Sequence, residues 1–250
     1  MKQNKIYIYG KHALKEALLY APHVLDRIFV AKGSGDRELQ ELIKHSGIKV
    51  SSLSLGKAPR SIKDREVHQG IIGRISIDKL VQPYEKYIHK LEINEDTALL
   101  LLGEIEDPHN VGAIIRSAAA FGISGVLIPR HKQAPVTGTV VKVSAGMAFR
   151  VPLIEIGNIN MVVRDLKDKG FWIYGLDGES KHSLSEETFN KPSVFILGNE
   201  ARGIRQKTGE LCDMLLSIQI NPKCESLNVA ASTAVTLFEW SSQHKNALKK

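Results

Sequence analysis

Cysteine is nearly absent: Cys212 and Cys224 are the only two in 250 residues. They fit neither a disulfide framework nor a paired CxxC metal site, so each is read as a lone buried or half-buried thiol. The nine histidines are scattered from His12 to His244 with no HExxH and no i, i+4 pair, and no metal is expected. No apolar run reaches the roughly eighteen residues that a membrane span needs. The opening MKQNKIYIYG lacks the charged, apolar, small-residue order of a secretory signal. No membrane partner is expected, and the expected compartment is the cytoplasm. A GxGxxG after a strand and a GxxxxGK[ST] loop are also missing, which removes most of the support for hydride transfer and for NTP hydrolysis.

What is present is ordinary globular composition, 43% hydrophobic and 24% charged, at a length sufficient for two modest domains or one large one. The charge is distributed unevenly. Residues 1–75 hold 14 Lys and Arg against 7 Asp and Glu, while the rest of the chain holds 20 of each, so the whole formal charge of +7 sits in the first third. Such a footprint suits a domain that meets a phosphate backbone, although basic faces also occur without a partner.

IYIYG at 6–10 reads as a strand and KHALKEALLY as a helix with Ala13, Leu14, Ala17 and Leu18 on one face. RIFVA, the helical DRELQELIKH, IKVSSL and VHQGIIGRISI continue a compact α/β unit ending near Ile77. DKLVQPYEKYIHKLEINED, 78–96, reads as a linker with a short helix and no strand. A second alternation begins at TALLLLG, apolar throughout like a strand buried on both faces of a parallel sheet. Helix NVGAIIRSAAAFG, strand GVLIP, helix TGTVVKVSAGMAF, strands FWIYGLD, SVFILG and MLLSIQI, and a final helix from Ser226 follow. In such a sheet the ligand lies beyond the carboxyl ends of the strands, which directs attention to EIEDPHN, GNEARG and NPKCESLN.

Each of these loops carries chemistry that the sheet itself does not require. Asp107 and Asn110 can cap a helix whose first turn exposes amide donors, while Arg116, six residues past Asn110, reads equally as a solvated helix residue. Gly198 and Gly203 flank Glu200 and permit close backbone approach. Ser226 and Asn228 precede the final helix, and either can be its N-cap. That helix is unusually thin: Ala230, Ala231, Ser232, Thr233 and Ala234 forgo the burial that large side chains give, so something must approach its backbone closely.

Taken together, EIEDPHNVGAIIRSAAAFG, FILGNEARGI and SLNVAASTA resemble, in order and spacing, the three motifs of the SpoU-type RNA ribose 2′-O-methyltransferases of the SPOUT superfamily. The likeness covers about residues 97–243, and the portion ending in VHQGIIGRI looks like the RNA-binding extension of the bacterial 23S rRNA guanosine 2′-O-methyltransferases. The resemblance implies an α/β protein with a small RNA-binding domain over 1–77, a linker over 78–96 and a methyltransferase domain over 97–250. The last would have a mainly parallel sheet with a deep trefoil knot, S-adenosylmethionine bound in the knotted loops, and a homodimer. By motif position, Asn110 and Arg116 would face the target ribose, Glu200 would fix the arrangement, and Ser226 and Asn228 would complete the catalytic site. Gly198, Asn199, Ile218 and Leu227 would hold the cofactor. The family commonly has Pro after the isoleucine at 218 and Gly at 222, where this chain has Gln219 and Pro222. The substrate implied is structured RNA, foremost 23S rRNA; tRNA, or a non-catalytic RNA-binding role, are the alternatives.

Overall fold

The computed structural model describes residues 5–31, 33–34, 37–53 and 70–249. The first residues of the expected strand VHQGIIGRISI, Val67 to Gln69, and Asp36 of the expected helix lie outside them. Packing divides the chain into two compact units: Met1–Val81 together with Val136–Arg150, and Gln82–Pro135 together with Val151–Lys250.

In the first unit, strands β1 (Lys5–Tyr9), β2 (Leu25–Val30), β3 (Val50–Ser52) and β4 (Ile71–Ser76) form a sheet in the order β1-β4-β2-β3. β4 runs antiparallel to both of its neighbours, and β2 pairs parallel with β3. The Lys11–Tyr20 helix buries Ala13, Leu14, Ala17 and Leu18, as its i, i+1, i+4, i+5 spacing requires, and the Arg37–His45 helix adds Leu39 and Ile43. Gly73 in β4 keeps this layer close, since a Cβ there would stand 3.0 Å from Ile8, Leu14 and Leu25.

The Val136–Arg150 segment departs from the expected division, which placed it in the domain 97–250. Its Gly138–Val143 helix packs on β1, where a Cβ on Gly138 would come within 2.2 Å of the Tyr7 carbonyl oxygen. Arg150 closes the segment with a two-pronged bond to Glu16, at 2.6 and 3.0 Å.

The second unit holds a seven-stranded sheet: β5 (Val81–Pro83), β6 (Ala98–Leu102), β7 (Gly125–Pro129), β8 (Leu153–Ile156), β9 (Trp172–Leu176), β10 (Ser193–Leu197) and β11 (Met214–Leu216). Its order is β11-β9-β10-β6-β7-β8-β5, and the five pairings from β11 to β8 are all parallel. β6, β7 and β10 are buried at every position, which is why their sequences run apolar without alternation. Leu99, Leu101, Leu127, Val194 and Ile196 share one core with Val162, Val163 and Leu166 of the Ile159–Asp168 helix. Leu100 and Leu102 point to the opposite layer by the period of two. The Pro108–Ala120 and Val229–Gln243 helices pack against each other.

The expected linker 78–96 is structured. It contributes β5 and a short helix, Tyr84–Ile88, whose Tyr84, Tyr87 and Ile88 enter the same core. Tyr84 donates to Asp165 and Tyr87 to the Ser124 carbonyl, each at 2.6 Å, so two buried hydroxyls are satisfied and the segment is anchored. β8 and the Ile159–Asp168 helix are additional to the expected elements. The strand expected over MLLSIQI ends at Leu216, and the final helix begins at Val229 rather than Ser226. Among the described residues no helix is long and apolar enough to cross a membrane.

Candidate functional site

Three loops leave the carboxyl ends of β6, β10 and β11, and hydrogen bonds join them. Glu104, at the exit of β6, has a left-handed φ of 67° that a non-glycine residue adopts only when its surroundings hold it there. Its carbonyl accepts from Asn199 Nδ2 at 2.8 Å, and its carboxylate pairs with Arg205 at 2.8 Å. Asn199 and Gly203 exchange backbone bonds at 3.0 and 2.9 Å, closing the NEARG turn with Gly203 at φ 66°. Glu106 adds an ion pair with Arg202 at 3.2 Å.

Glu200, at the tip of that turn, accepts from the N–H groups of Glu106 (3.3 Å) and Asp107 (3.4 Å) and from Asn110 Nδ2 (3.0 Å). Partial burial works against its charge, but the bonds from Asn110, from its own N–H and from Glu106 and Asp107 outweigh it and hold the carboxyl below the usual carboxylate range. Asp107 caps the Pro108–Ala120 helix through the His109 N–H at 2.8 Å, and this bond lowers the Asp107 pKa.

Asn110 Oδ1 in turn accepts from Asn228 Nδ2 at 3.0 Å. Asn228 Oδ1 caps the Val229–Gln243 helix, accepting from the N–H groups of Ala230 (2.9 Å) and Ala231 (3.3 Å). The amides therefore form a directed chain, Asn228 to Asn110 to the Glu200 carboxylate, that links the starts of two helices to the second loop. Of the two possible caps, Asn228 takes the role; Ser226 is exposed and makes no hydrogen bond among the described residues.

A cavity of about 330 Å³ opens beside this chain, within the size range of small-ligand sites. Gly198, Asn199, Glu200, Ile218, Ser226, Leu227 and Asn228 all line it. Gly198 cannot be replaced without displacing backbone, because a Cβ would sit 2.4 Å from the Gly203 carbonyl carbon. Leu176, Asp177 and Gly178, at the end of β9, complete the wall. They were not singled out from the sequence, yet the strand-end rule pointed to LDGES as much as to the other three loops.

Arg116 stands apart from the cavity. It is exposed, has no side-chain partner among the described residues, and lies six positions beyond Asn110, about 9 Å along the helix axis. Six residues also turn the helix through about 600°, so the two side chains leave it on different sides. The thin helix is explained by its neighbours: Ala230, Thr233, Thr236 and Leu237 are buried, and the two threonine hydroxyls bond back to Val229 and Ser232 at 2.7 and 2.9 Å. Its opposite face leaves Ala231, Val235 and Phe238 exposed, with Phe121 edge-on to Phe238 at 6.1 Å. Cys212 is half-buried, but Cys224 is exposed in the third loop, contrary to expectation. Among the described residues no group of three or more His, Cys, Asp and Glu could hold a metal.

Residues 97–238 match the SpoU rRNA methylase family, and residues 7–80 match the RNA 2′-O ribose methyltransferase substrate-binding family. The chain is 37% identical over 236 residues to the 23S rRNA (guanosine-2′-O-)-methyltransferase RlmB of Yersinia pestis, covering 93% of this chain and 95% of that protein. The protein of the same name from Haemophilus influenzae is 36% identical over 237 residues, with the same coverage of each. The crystal structure of the SpoU methyltransferase AviRb from Streptomyces viridochromogenes with AdoMet has the same fold, with a TM-score of 0.81 at 18% identity over 97% of this chain and 91% of that one.

Proposed function

The chain belongs to the SpoU rRNA methylase family, and we propose that it transfers a methyl group from S-adenosylmethionine to the ribose 2′-hydroxyl of a guanosine in 23S rRNA. The observation that carries this reading is the directed chain Asn228–Asn110–Glu200 at the rim of the strand-end cavity. The cavity suits the cofactor: it mixes the apolar Leu176, Leu197, Leu216 and Ile218 with the polar Asp177 and Asn199, and Gly198 contributes backbone to its wall. Gly198, Asn199, Ile218 and Leu227 would hold S-adenosylmethionine, which when bound supplies an electrophilic methyl on a sulfonium. The deep trefoil knot implied by the family belongs to this proposal.

Asn110 and Asn228, oriented by the Glu200 carboxylate, would fix the ribose beside the cavity, with Ser226 as a further donor. Such alignment contributes much of the rate of an in-line displacement. The 2′-hydroxyl must also lose its proton as its oxygen becomes a nucleophile. A guanidinium is cationic at neutral pH and serves poorly as a base, so Arg116 would act electrostatically, holding a phosphate and stabilising the developing alkoxide. Because Arg116 lies off its own chain's cavity, the proposal includes a homodimer in which one subunit's Arg116 serves the site of the other. The exposed Phe238 and Val235, with the half-buried Phe121 beside them, supply an apolar surface for that contact. The basic residues 7–80 would dock the structured RNA in the cytoplasm.

The test is methylation of 23S rRNA and tRNA with labelled S-adenosylmethionine, followed by mapping of the modified nucleotide. Label on a guanosine ribose of 23S rRNA is expected. Label confined to tRNA would redirect the substrate, and none on either would remove the enzymatic reading.

A further inference from the structure

A second cavity, about 670 Å³, opens on the same carboxyl edge of the second unit's sheet. Arg130 and His131, past the end of β7, and the start of the Ile159–Asp168 helix, past β8, form one side; Arg205 and Lys207 form the other. The NEARGI loop thus separates two sites, with Gly198, Asn199, Glu200 and Gly203 facing the cavity already described and Arg205 to Thr208 facing this one.

Its chemistry is that of an anion site. Three permanent cations line it against one carboxylate, Glu104. Arg205 gives one Nη2 donor to Glu104 at 2.8 Å, and Arg130 gives only its Nε to Glu155 at 2.7 Å, so both guanidinium groups keep further donors. Lys207 and His131 have no hydrogen-bond or ion-pair partner among the described residues. The ten-residue helix adds its amino end: Asn158 satisfies the Met161 N–H at 3.1 Å, which leaves the N–H groups of Ile159 and Asn160 available. No Phe, Tyr or Trp lines the cavity, whose polar groups are mostly cations and backbone donors, while its volume exceeds what a lone phosphate fills.

We propose that this cavity holds a phosphodiester group, with its ribose, of the substrate RNA strand close to the nucleotide that is methylated. The inference rests on the reading of the chain as an RNA 2′-O-methyltransferase. A strand running along the carboxyl edge would place its target ribose at the Asn110–Asn228 rim and a neighbouring phosphate against Arg130, Lys207 and the helix end. Recognition there is of backbone, without regard to base.

Arg130→Ala/Lys207→Ala in the full-length protein removes two exposed cations and no buried group. The RNA KM is expected to rise about tenfold, with kcat and S-adenosylmethionine affinity within twofold of wild type. The slope of log affinity against log salt should flatten by about 0.7, one single-strand phosphate contact. Lys207→Glu should raise the KM further. Independently of methylation, titration of wild-type protein with uridine 5′-monophosphate should shift the Ile159 and Asn160 amide resonances, uridine should not, and the double variant should abolish the shifts. An unchanged RNA KM and salt slope would overturn the proposal. So would shifts with the monophosphate alone combined with unchanged RNA binding, which would make the cavity a site for a free phosphate ester. Were wild-type protein to methylate no RNA, the RNA salt slopes and the monophosphate titration would still decide this site separately.

Discussion

Asn228 performs two tasks with two different atoms, so they can be separated. Its Oδ1 caps the Val229–Gln243 helix through Ala230 and Ala231, and its Nδ2 donates to Asn110, which donates to Glu200. Asn228→Ala loses both. A lost cap costs about 1 kcal/mol, and an exposed side-chain hydrogen bond adds about 0.5–1 kcal/mol. At about 2–4 °C per kcal/mol for a unit of this size, its melting transition should fall by about 3–8 °C. Asn228→Asp keeps an equally good cap and adds about 0.3–1 kcal/mol from a negative charge at the helix amino end, which offsets the lost bond. Its transition should stay within about 2 °C of wild type. The introduced carboxylate, however, offers no donor to Asn110 Oδ1. To find a partner Asn110 must turn its amide group toward that carboxylate, and Glu200 then loses its side-chain donor. Methyl transfer should drop on the order of 10- to 100-fold, the cost of a misplaced ribose. Scanning calorimetry, read on the transition that S-adenosylmethionine shifts, and single-turnover methylation make the comparison. An Asn228→Asp variant with wild-type rate would reduce Asn228 to a helix cap; one as unstable as Asn228→Ala would show that the two tasks are not separable.

Arg116→Ala should abolish methyl transfer with S-adenosylmethionine affinity within twofold by calorimetry, and lost cofactor binding would place the residue wrongly; rescue by Arg116→Lys would show that a positive charge suffices without the fork geometry. Phe238→Glu should convert a micromolar dimer to monomer in sedimentation, since Phe238 is 61% exposed on the apolar face; wild-type protein sedimenting as a monomer would refute the dimer. The depressed pKa of Glu200 makes its hydrogen bonds fully stabilising above the ordinary value of 4.5 and lost as pH falls through the lower folded value. Glu200→Gln should therefore shrink the loss of stability expected of the wild type as pH falls below 4.5, and identical acid unfolding curves would deny the carboxylate its role.

The parallel core was legible because its strands are buried on both faces: ALLLL, GVLIP and SVFIL announce themselves without alternation. The Ile159–Asp168 helix was readable too, with Asn158 as its cap, Ile159, Val162, Val163 and Leu166 on one face, and Gly170 at φ 89° just past its end. It was passed over because the four-residue strand before it, LIEI, gives too short a signal to start a βα unit. The NEARG loop was found by its glycines, and Gly198 and Gly203 earn that reading through a close approach and a left-handed φ respectively. The amide chain was only half legible. Asn110 and Asn228 lie 118 positions apart, and nothing local in either segment says that one donates to the other. Asp177 was missed because β9 ends in LDGES, which reads as an ordinary turn until the cavity shows what it faces.

Chain order also misleads about which residues must stay together. The Val136–Arg150 segment sits in the middle of the residues that match the methylase family, yet it packs with the N-terminal unit. Val140 and Val141 of its helix are fully buried, Gly138 lies against β1, and Arg150 holds Glu16. A chain cut after residue 75 would strip β1 and the Lys11–Tyr20 helix from that segment and expose its apolar side, so lost activity could arise from the damaged insert as readily as from lost RNA contact. Neutralising exposed lysines within the first unit leaves its packing intact. Changes in RNA affinity then report on charge, and the question raised by the uneven distribution of Lys and Arg becomes answerable in the folded protein.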